Sequence, residues 1–529
     1  MSKVKNILFI MADQLRWDYL SCYGHPHLKT PNIDRLAERG VRFDRAYVQS
    51  PVCGPSRASF YTGRTVFSHG STWNQVPLPI GELTLGDYLR PIGVQTAVVG
   101  KTHMVPDREA MAHLGLDPFT GTGKTISQPG FDPFERDDGL HPNPSLRRRG
   151  GKLRYNDWLR ERGYEGENPW HDYANSAEGP DGEILSGWYL KNSNLPARVK
   201  EEHSETAYMT SRAREFIEDA GDNPWLCHLS YIKPHWPYIA PVPYHDMYGP
   251  ECFLPIKRSE GEREDPNSVY GAFRKMEVSE TFSRQGVRET VLPGYMGLIK
   301  QIDDHLGRLF DWLEETGKIN ETMIVFTSDH GDYLGDHWLG EKELFHEESV
   351  RIPLIIYDPR KEADGTRGTV SDALVEAIDL VPTFLAATGA PPADHRLEGR
   401  SLEPLLHGNQ LEDWRDAVFS EIDYAFYDAR EILGVDASKA RGYMLRTDRW
   451  KYIHFTGFEP QLFDLENDPD EFTDLGRSPE YEEIRNQMHK RLFERLTSRK
   501  NRVTMTDREV YDVRSDETRS GIMIGKWGD

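Results

Sequence analysis

The chain has 529 residues, 37% of them hydrophobic and 11% aromatic, which is enough apolar material for a large core and too much length for one simple domain. A formal net charge of −22 argues against a general binder of nucleic acid or anionic membranes, so an anionic substrate would need a local positive pocket inside an acidic shell. Four cysteines lack disulfide-framework spacing, and no stretch approaches the roughly 18 apolar residues of a membrane span, so the sequence predicts a soluble, cytoplasmic protein.

NILFIMAD (6–13) reads as a buried strand, and TPNIDRLAERG (30–40) as a helix with Thr30 as N-cap, Pro31 first and Gly40 as its stop. In SPVCGPSRASFYTGR (50–64), Pro55 suits the first helical position and Gly63 the stop. Cys53 then sits at a helix mouth, where unpaired N–H groups favour negative charge. TLGDYLRPIG (84–93) leads into the strand VQTAVVGK (94–101). A helix over 204–221 precedes the strand PWLCHLSYI (224–232), and another over 295–317 precedes TMIVFTSDHGD (322–332). RIPLIIYD (351–358) is one more strand and ALVEAIDLVPTFLAATGA (373–390) one more helix.

Such alternation predicts an α/β protein with a large, mostly parallel sheet covered by helices on both faces. Residues 117–200, rich in Gly, Pro, Arg, Asn and Trp, read as a long insertion shaping a pocket or an interface. From about residue 411 the style changes to antiparallel strands (YMLRTDRWKYIHF) and an amphipathic helix, which divides the chain into a catalytic domain, 1–410, and a smaller α+β domain, 411–529. The tail, 506–529, has no core pattern of its own and is expected to pack on a neighbouring subunit.

Ligands of open α/β sheets bind beyond the carboxyl ends of the strands. Four predicted strands end there in polar groups: Asp13-Gln14, Lys101-Thr102-His103, Lys233-Pro234-His235 and Asp329-His330-Gly331-Asp332. Asp13, Gln14, Asp329 and His330 form a donor set suited to one hard or borderline dication, Mn²⁺ or Ca²⁺, unless the aspartates are only caps and turn formers. Arg57, Lys101, His103, His235 and Lys342 supply the positive and proton-handling groups the acidic chain requires. Cys53 is either an inert buried thiol or a nucleophile. Trp17, Trp73, Trp236 and Tyr238 either line an aryl-binding wall or belong to ordinary packing.

CGPSR (53–57) resembles the C-x-P-S-R motif of type I sulfatases in the alkaline phosphatase superfamily, where the cysteine is converted to Cα-formylglycine. GKTHM, KPHWPY, TSDHGDYLGDH and FDLENDPDEFTDL are similar to further segments of that family, in the same order along nearly the whole chain. The resemblance implies an alkaline phosphatase-like fold, formylglycine at residue 53 as a built-in cofactor, and metal binding by Asp13, Gln14, residue 53, Asp329 and His330. It implies that Arg57 supports the aldehyde hydrate, Lys101 and Lys342 hold sulfate oxygens, and His103 and His235 handle protons. One hydroxyl of the gem-diol would attack sulfur, His235 or Lys342 would give the leaving group its proton, and deprotonation of the other hydroxyl by His103 would release sulfate by hemiacetal collapse. Gln14, His330 and Asn74, the last read as substrate-binding, resemble instead the phosphonate monoester hydrolase and phosphodiesterase branch, as does the tail with its oligomerising arm. That branch carries Tyr and Thr where this chain has Lys101 and His103. The expected activity is therefore sulfate monoester hydrolysis of the arylsulfatase type, with phosphonate monoester or phosphodiester hydrolysis as the alternative at the same site. The expected partners are a small anionic ester, a formylglycine-generating enzyme during maturation, and further copies of the chain in a dimer or tetramer.

Overall fold

The first strand, β1 (Asn6–Asp13), is buried at every position, which the apolar run NILFIMA can satisfy only at the centre of a sheet covered on both faces. The computed structural model describes residues 2–139, 153–409, 412–521 and 527. Strands β2 (Val41–Tyr47), β3 (Gln95–Gly100), β4 (Asp132–Arg136), a small hairpin of β5 (Ser176–Glu178) and β6 (Ile184–Ser186), β7 (Trp225–Pro234), β8 (Thr322–Ser328), β9 (Arg351–Tyr357) and β10 (Thr369–Glu376) follow. Apart from the hairpin they form one eight-stranded sheet in the order β10-β2-β9-β8-β1-β7-β3-β4. All neighbours are parallel except at β9, which runs antiparallel to both β2 and β8.

Side-chain alternation splits the interior into two cores. Ile7, Phe9 and Met11 of β1 join Met323 and Val325 of β8 on one face. Leu8, Ile10 and Ala12 join Ile324 and Phe326 on the other, under the long helices Glu205–Ala220 and Val287–Glu315.

Three expectations need correction. The segment 373–390 is not one helix: its first residues complete β10, paired with β2, and a helix runs only from Leu380 to Thr388. The β-branched and apolar residues Leu374 and Val375 are buried at the sheet edge, and this burial overrides their helix-compatible spacing. The 117–200 insertion contributes β4 to the edge of the main sheet, beside β3; its residues 140–152 lie outside the described residues. The helix at the cysteine motif begins at Cys53 itself, not at Pro55. Pro55 occupies the third position, still within the turn whose N–H groups have no helical acceptor.

The C-terminal part is an antiparallel sheet, β11 (Ala417–Asp423), β12 (Arg441–Thr447), β13 (Trp450–Phe455) and β14 (Gln461–Asp464), in that order. Residues 410–411, where the sequence places the domain boundary, lie outside the described residues. One face of this sheet, with Val418, Ile422, Met444, Ile453 and Phe463, is continuous with a core of the main sheet. The other, with Phe419, Leu445, Tyr452 and Leu462, is covered by Met488 and Leu492 of the helix Glu482–Thr497. The last helix, Asp507–Arg519, leaves Tyr511 and Val513 exposed. Among the described residues no helix is long and apolar enough to cross a membrane.

Candidate active site

The polar strand ends converge. Asp13 follows from β1, Lys101 from β3, His235 from β7, and Asp329 and His330 from β8, with Cys53 facing them from the first position of its helix. One donor atom from each of Asp13, Cys53, Asp329 and His330 lies within 4.8 Å of every other, and all four residues are fully buried. Cys53 Sγ is 3.0 Å from His330 Nε2, 3.7 Å from Asp13 Oδ1 and 3.9 Å from Lys101 Nζ. His330 Nδ1 is 2.9 Å from the Gly331 carbonyl, which fixes the proton on that nitrogen and leaves the Nε2 lone pair aimed at the cluster. Two carboxylates, one imidazole nitrogen and an adjacent side chain at residue 53 fit a hard or borderline dication.

Arg57 lies beneath the cluster, wholly buried. Its Nε donates to Asp329 Oδ2 at 2.8 Å and its Nη2 to Asp13 Oδ2 at 3.2 Å, while Nη1 donates to Ser230 Oγ and to the Lys101 carbonyl. Lys101 Nζ forms a close ion pair with Asp13. Burial alone would raise the Asp13 carboxyl, but Lys101, His235, Arg57 and His330 outweigh it and hold it well below the usual carboxylate range.

Gln14 adopts a left-handed backbone conformation, φ 63°, immediately after β1. Its backbone N–H donates to Asp329 Oδ1 at 3.0 Å, its Nε2 to Asp332 Oδ2 at 2.5 Å, and its Oε1 accepts from Lys342 Nζ at 2.9 Å. Lys342 also reaches His235 Nε2 at 3.4 Å and Glu341 at 3.2 Å. His235 Nδ1 lies 2.7 Å from the Trp236 carbonyl, so that nitrogen carries the proton and Nε2 faces Lys342 as an acceptor. Burial and then Lys101 hold both His103 and His235 well below the ordinary histidine range, so both rings are neutral. The backbone N–H groups of Thr102 and His103 are gathered by Asp138 Oδ1, His103 is left-handed at φ 54°, and its Nδ1 is buried without a hydrogen-bond partner. Left-handed non-glycine residues cost energy and cluster where the surrounding structure over-determines a working geometry.

Two glycines are required by close approach. A Cβ at Gly54 would stand 2.9 Å from both Cα and Oδ1 of Asn74, whose Oδ1 accepts from the Gly54 N–H at 2.7 Å. A Cβ at Gly100, φ +111°, would meet the Ser230 carbonyl at 1.9 Å, just where the chain turns to present Lys101. The contacts of the site join Asp13, Gln14, Cys53, Arg57, Lys101, His235, Asp329, His330 and Lys342, with Asn74 tied to them through Gly54 and His103 two residues beyond Lys101. Ser230 and Asp138 carry no signal in the sequence, and Asp332, though named in the strand-end run DHGD, has no role until its carboxylate meets Gln14 and Tyr238. The aromatic candidates divide: Trp73 stacks on Phe426 at 5.2 Å and meets Tyr427 edge-on, Trp236 neighbours His235, and Tyr238 is buried with its hydroxyl on Asp332 at 2.5 Å. Trp17 is elsewhere, under the Arg351 guanidinium, in a cavity of about 530 Å³ whose lining includes none of the expected catalytic residues.

The sulfatase family matches residues 5–390. The chain belongs to the sulfatase family. The C-terminal family of N-sulphoglucosamine sulphohydrolase matches residues 335–498. This sulfatase is 33% identical over 503 residues to the multifunctional alkaline phosphatase superfamily protein PehA of Trinickia caryophylli, spanning 90% of this chain and 92% of the relative. It is 29% identical over 511 residues to an arylsulfatase of Clostridium perfringens, spanning 93% and 95%. The solved phosphonate monoester hydrolase of Agrobacterium radiobacter matches with a TM-score of 0.79 at 28% identity, covering 93% of this chain and 95% of that one. For the phosphonate monoester hydrolase of Silicibacter pomeroyi the TM-score is 0.80 at 28% identity, with coverage of 96% and 98%. The fold is alkaline phosphatase-like and the enzyme class is that of sulfuric ester hydrolases.

Proposed function

We propose that this sulfatase hydrolyses sulfate monoesters of the arylsulfatase type through a formylglycine at residue 53 and one divalent metal. The observation that carries the reading is the buried cluster of Asp13, residue 53, Asp329 and His330, closed by the three cations Arg57, Lys101 and Lys342. Burial and the Asp13 carboxylate push the Cys53 thiol up to about 12, so a cysteine here is no nucleophile near neutral pH on the strength of these protein groups alone. Its Sγ marks where the oxygen of a modified side chain would stand. Asp13, Gln14, Asp329 and His330 would hold Mn²⁺ or Ca²⁺, and the aldehyde hydrate beside it would supply the attacking hydroxyl.

The remaining work falls to side chains. Lys101 and Lys342 hold the anionic oxygens, and Asn74, on the rim beside Gly54, binds the substrate. Arg57 fixes both carboxylates and supports charge at residue 53. Lys342 is the group that gives a proton to the departing oxygen. His235 is neutral with Nε2 accepting, so it receives from Lys342 and orients it. His103, neutral and with a free Nδ1, is the base that takes a proton at residue 53. Against these three cations stand Asp13, Asp329, Glu341 and Asp332, the last raised by burial only to about 6, so the four carboxylates leave the pocket one negative charge before a dication brings it to a single positive one. That balance suits a singly charged ester better than a phosphate monoester dianion.

A second reading rests on Gln14, His330 and the likeness to solved phosphonate monoester hydrolases: hydrolysis of phosphonate monoesters or phosphodiesters, which are also monoanions. The free state of Cys22, Cys53, Cys227 and Cys252 supports the cytoplasmic expectation, and the uncovered tail helix supports a homo-oligomer built through residues 506–529. The division into a catalytic part, 1–410, and a C-terminal part, 411–529, belongs to the same reading, as does a formylglycine-generating enzyme as maturation partner. The test is twofold. Peptide mass spectrometry across residue 53 of active protein shows an aldehyde or its hydrate; a plain thiol with no aldehyde beside it overturns the mechanism. Turnover of a matched aryl sulfate, aryl phosphonate and aryl phosphodiester ranks the readings, and a phosphonate preference by orders of magnitude replaces the first by the second.

A further inference from the structure

The loop that presents Lys342 is gripped from behind by the C-terminal sheet. Lys451, in β13, is fully buried, and its ammonium meets three oxygens: the Phe345 carbonyl at 2.9 Å, Glu347 Oε1 at 2.9 Å and Glu471 Oε1 at 2.7 Å. One hydrogen bond, to the carbonyl, and two ion pairs hold the ammonium. Phe345 lies three residues beyond Lys342, and the stretch between Gly340 and Phe345 is unusual: Glu341 and Glu343 are both left-handed, at φ 64° and 92°. Such a backbone keeps its shape only while its ends are held. The amino end is held by the Tyr333 N–H, which donates to the Glu341 carbonyl at 2.5 Å. The carboxyl end is held by Lys451 on Phe345 and by Glu347, which accepts from the Tyr47 hydroxyl at 2.8 Å and whose N–H donates to Glu471 Oε2 at 2.9 Å.

We propose that Lys451 is a positioning residue for Lys342, by which the C-terminal sheet sets the place of the leaving-group proton donor. The inference rests on the reading of Lys342 given above. It also gives the C-terminal part a duty in the chemistry: Lys451 touches neither substrate nor metal donors, yet it fixes the carbonyl from which the Lys342 loop is suspended. A displaced donor loses proton transfer first, and proton transfer matters most when the departing oxygen is a poor leaving group.

The experiment compares Lys451→Met with the charge-balanced pair Lys451→Met/Glu471→Gln, alone and combined with Lys342→Ala, on a series of aryl sulfates of graded phenol acidity. Circular dichroism and melting establish which variants are folded, and the charge-balanced pair carries the comparison where the single change leaves Glu471 uncompensated and unfolds the chain. The expected result is a fall in kcat of about tenfold or more on unactivated phenyl sulfate, with a much smaller fall on 4-nitrophenyl sulfate and little change in KM. In the Lys342→Ala background the same change should cost less than about twofold, because the group it positions is gone. An equal loss across the series, or losses that multiply with Lys342→Ala, overturns the inference and leaves Lys451 a stabilising residue only. A steep series for Lys342→Ala beside a flat one for Lys451→Met overturns this inference alone. A flat series for Lys342→Ala itself overturns the proton-donor assignment and this inference with it.

Discussion

Replacing Arg57 by Met removes the one guanidinium shared by two buried carboxylates, and the structure says which of them suffers. Asp13 keeps Lys101 as a partner, whereas Asp329 is left with the Gln14 N–H at 3.0 Å and, among the described residues, no cation within ion-pair distance, since the neutral His330 ring at 3.7 Å turns only its Nε2 lone pair toward it. Breaking a buried ion pair by deleting one partner costs about 3–5 kcal/mol, and the released Ser230 hydroxyl and Lys101 carbonyl add to that only if water cannot reach them. A loss of about 4 kcal/mol in chelator-treated protein is therefore expected, read as a shift in the urea midpoint followed by tryptophan fluorescence. A dication can replace the missing charge. At a hundred times its dissociation constant a ligand stabilises by about 2.7 kcal/mol, and the variant, freed of a competing cation between its carboxylates, should gain more from added Mn²⁺ than the parent does. Arg57→Lys, which keeps the charge and loses the fork, should fall between the two. A midpoint shift worth less than about 1 kcal/mol, or equal stabilisation of parent and variant by Mn²⁺, would refute the argument that Arg57 and the metal compensate the same pair of charges.

Lys342→Ala should lower turnover of unactivated aryl sulfates by about 10²–10⁴-fold beyond the loss common to all substrates from the anionic oxygens it holds, since a good leaving group needs no proton; a uniform loss would leave Lys342 a binding residue only. His103 is neutral until pH falls below the ordinary histidine range, because burial and Lys101 disfavour its protonated form. The acid limb of kcat/KM should accordingly lie below about 6.5, and Lys101→Met should move it upward; a limb at or above that value in the parent removes His103 as the base. Exchanging Lys101 and His103 for Tyr and Thr should depress sulfatase activity more than phosphodiesterase activity, measured on matched aryl esters, and equal losses would separate the pair from that choice.

The strand ends were legible because each charged group follows an apolar run whose length and burial admit one reading: Asp13 after NILFIMA and Asp329 after TMIVFTS could only emerge at the carboxyl edge of a covered sheet. What escaped notice were groups whose role depends on a distant partner. Ser230 looks like any strand serine until Arg57, 173 positions away, donates to it. Lys451 reads as an ordinary alternation of a half-exposed strand, and only the docking of that strand on Glu347 and Phe345 shows it buried. Leu374 and Val375 sit in a run compatible with a helix, and their pairing with β2 decided otherwise. Local pattern locates where chemistry leaves the sheet; which groups hold it in place is a property of the closed fold.

Every residue of the helix Cys53–Thr62 is buried, and residue 53 lies at its inner end against four strand termini. A side chain in that position is out of reach of any second enzyme once the sheet has closed over it. Under the proposed function, chemical rewriting of Cys53 would therefore have to happen on the growing or still open chain, in a race against folding. A molecule that wins the race to fold too early is permanently silent: stable, correctly shaped and beyond repair. The yield of working enzyme is then set by timing during synthesis, and purified protein should be a mixture of two populations with the same fold and different histories.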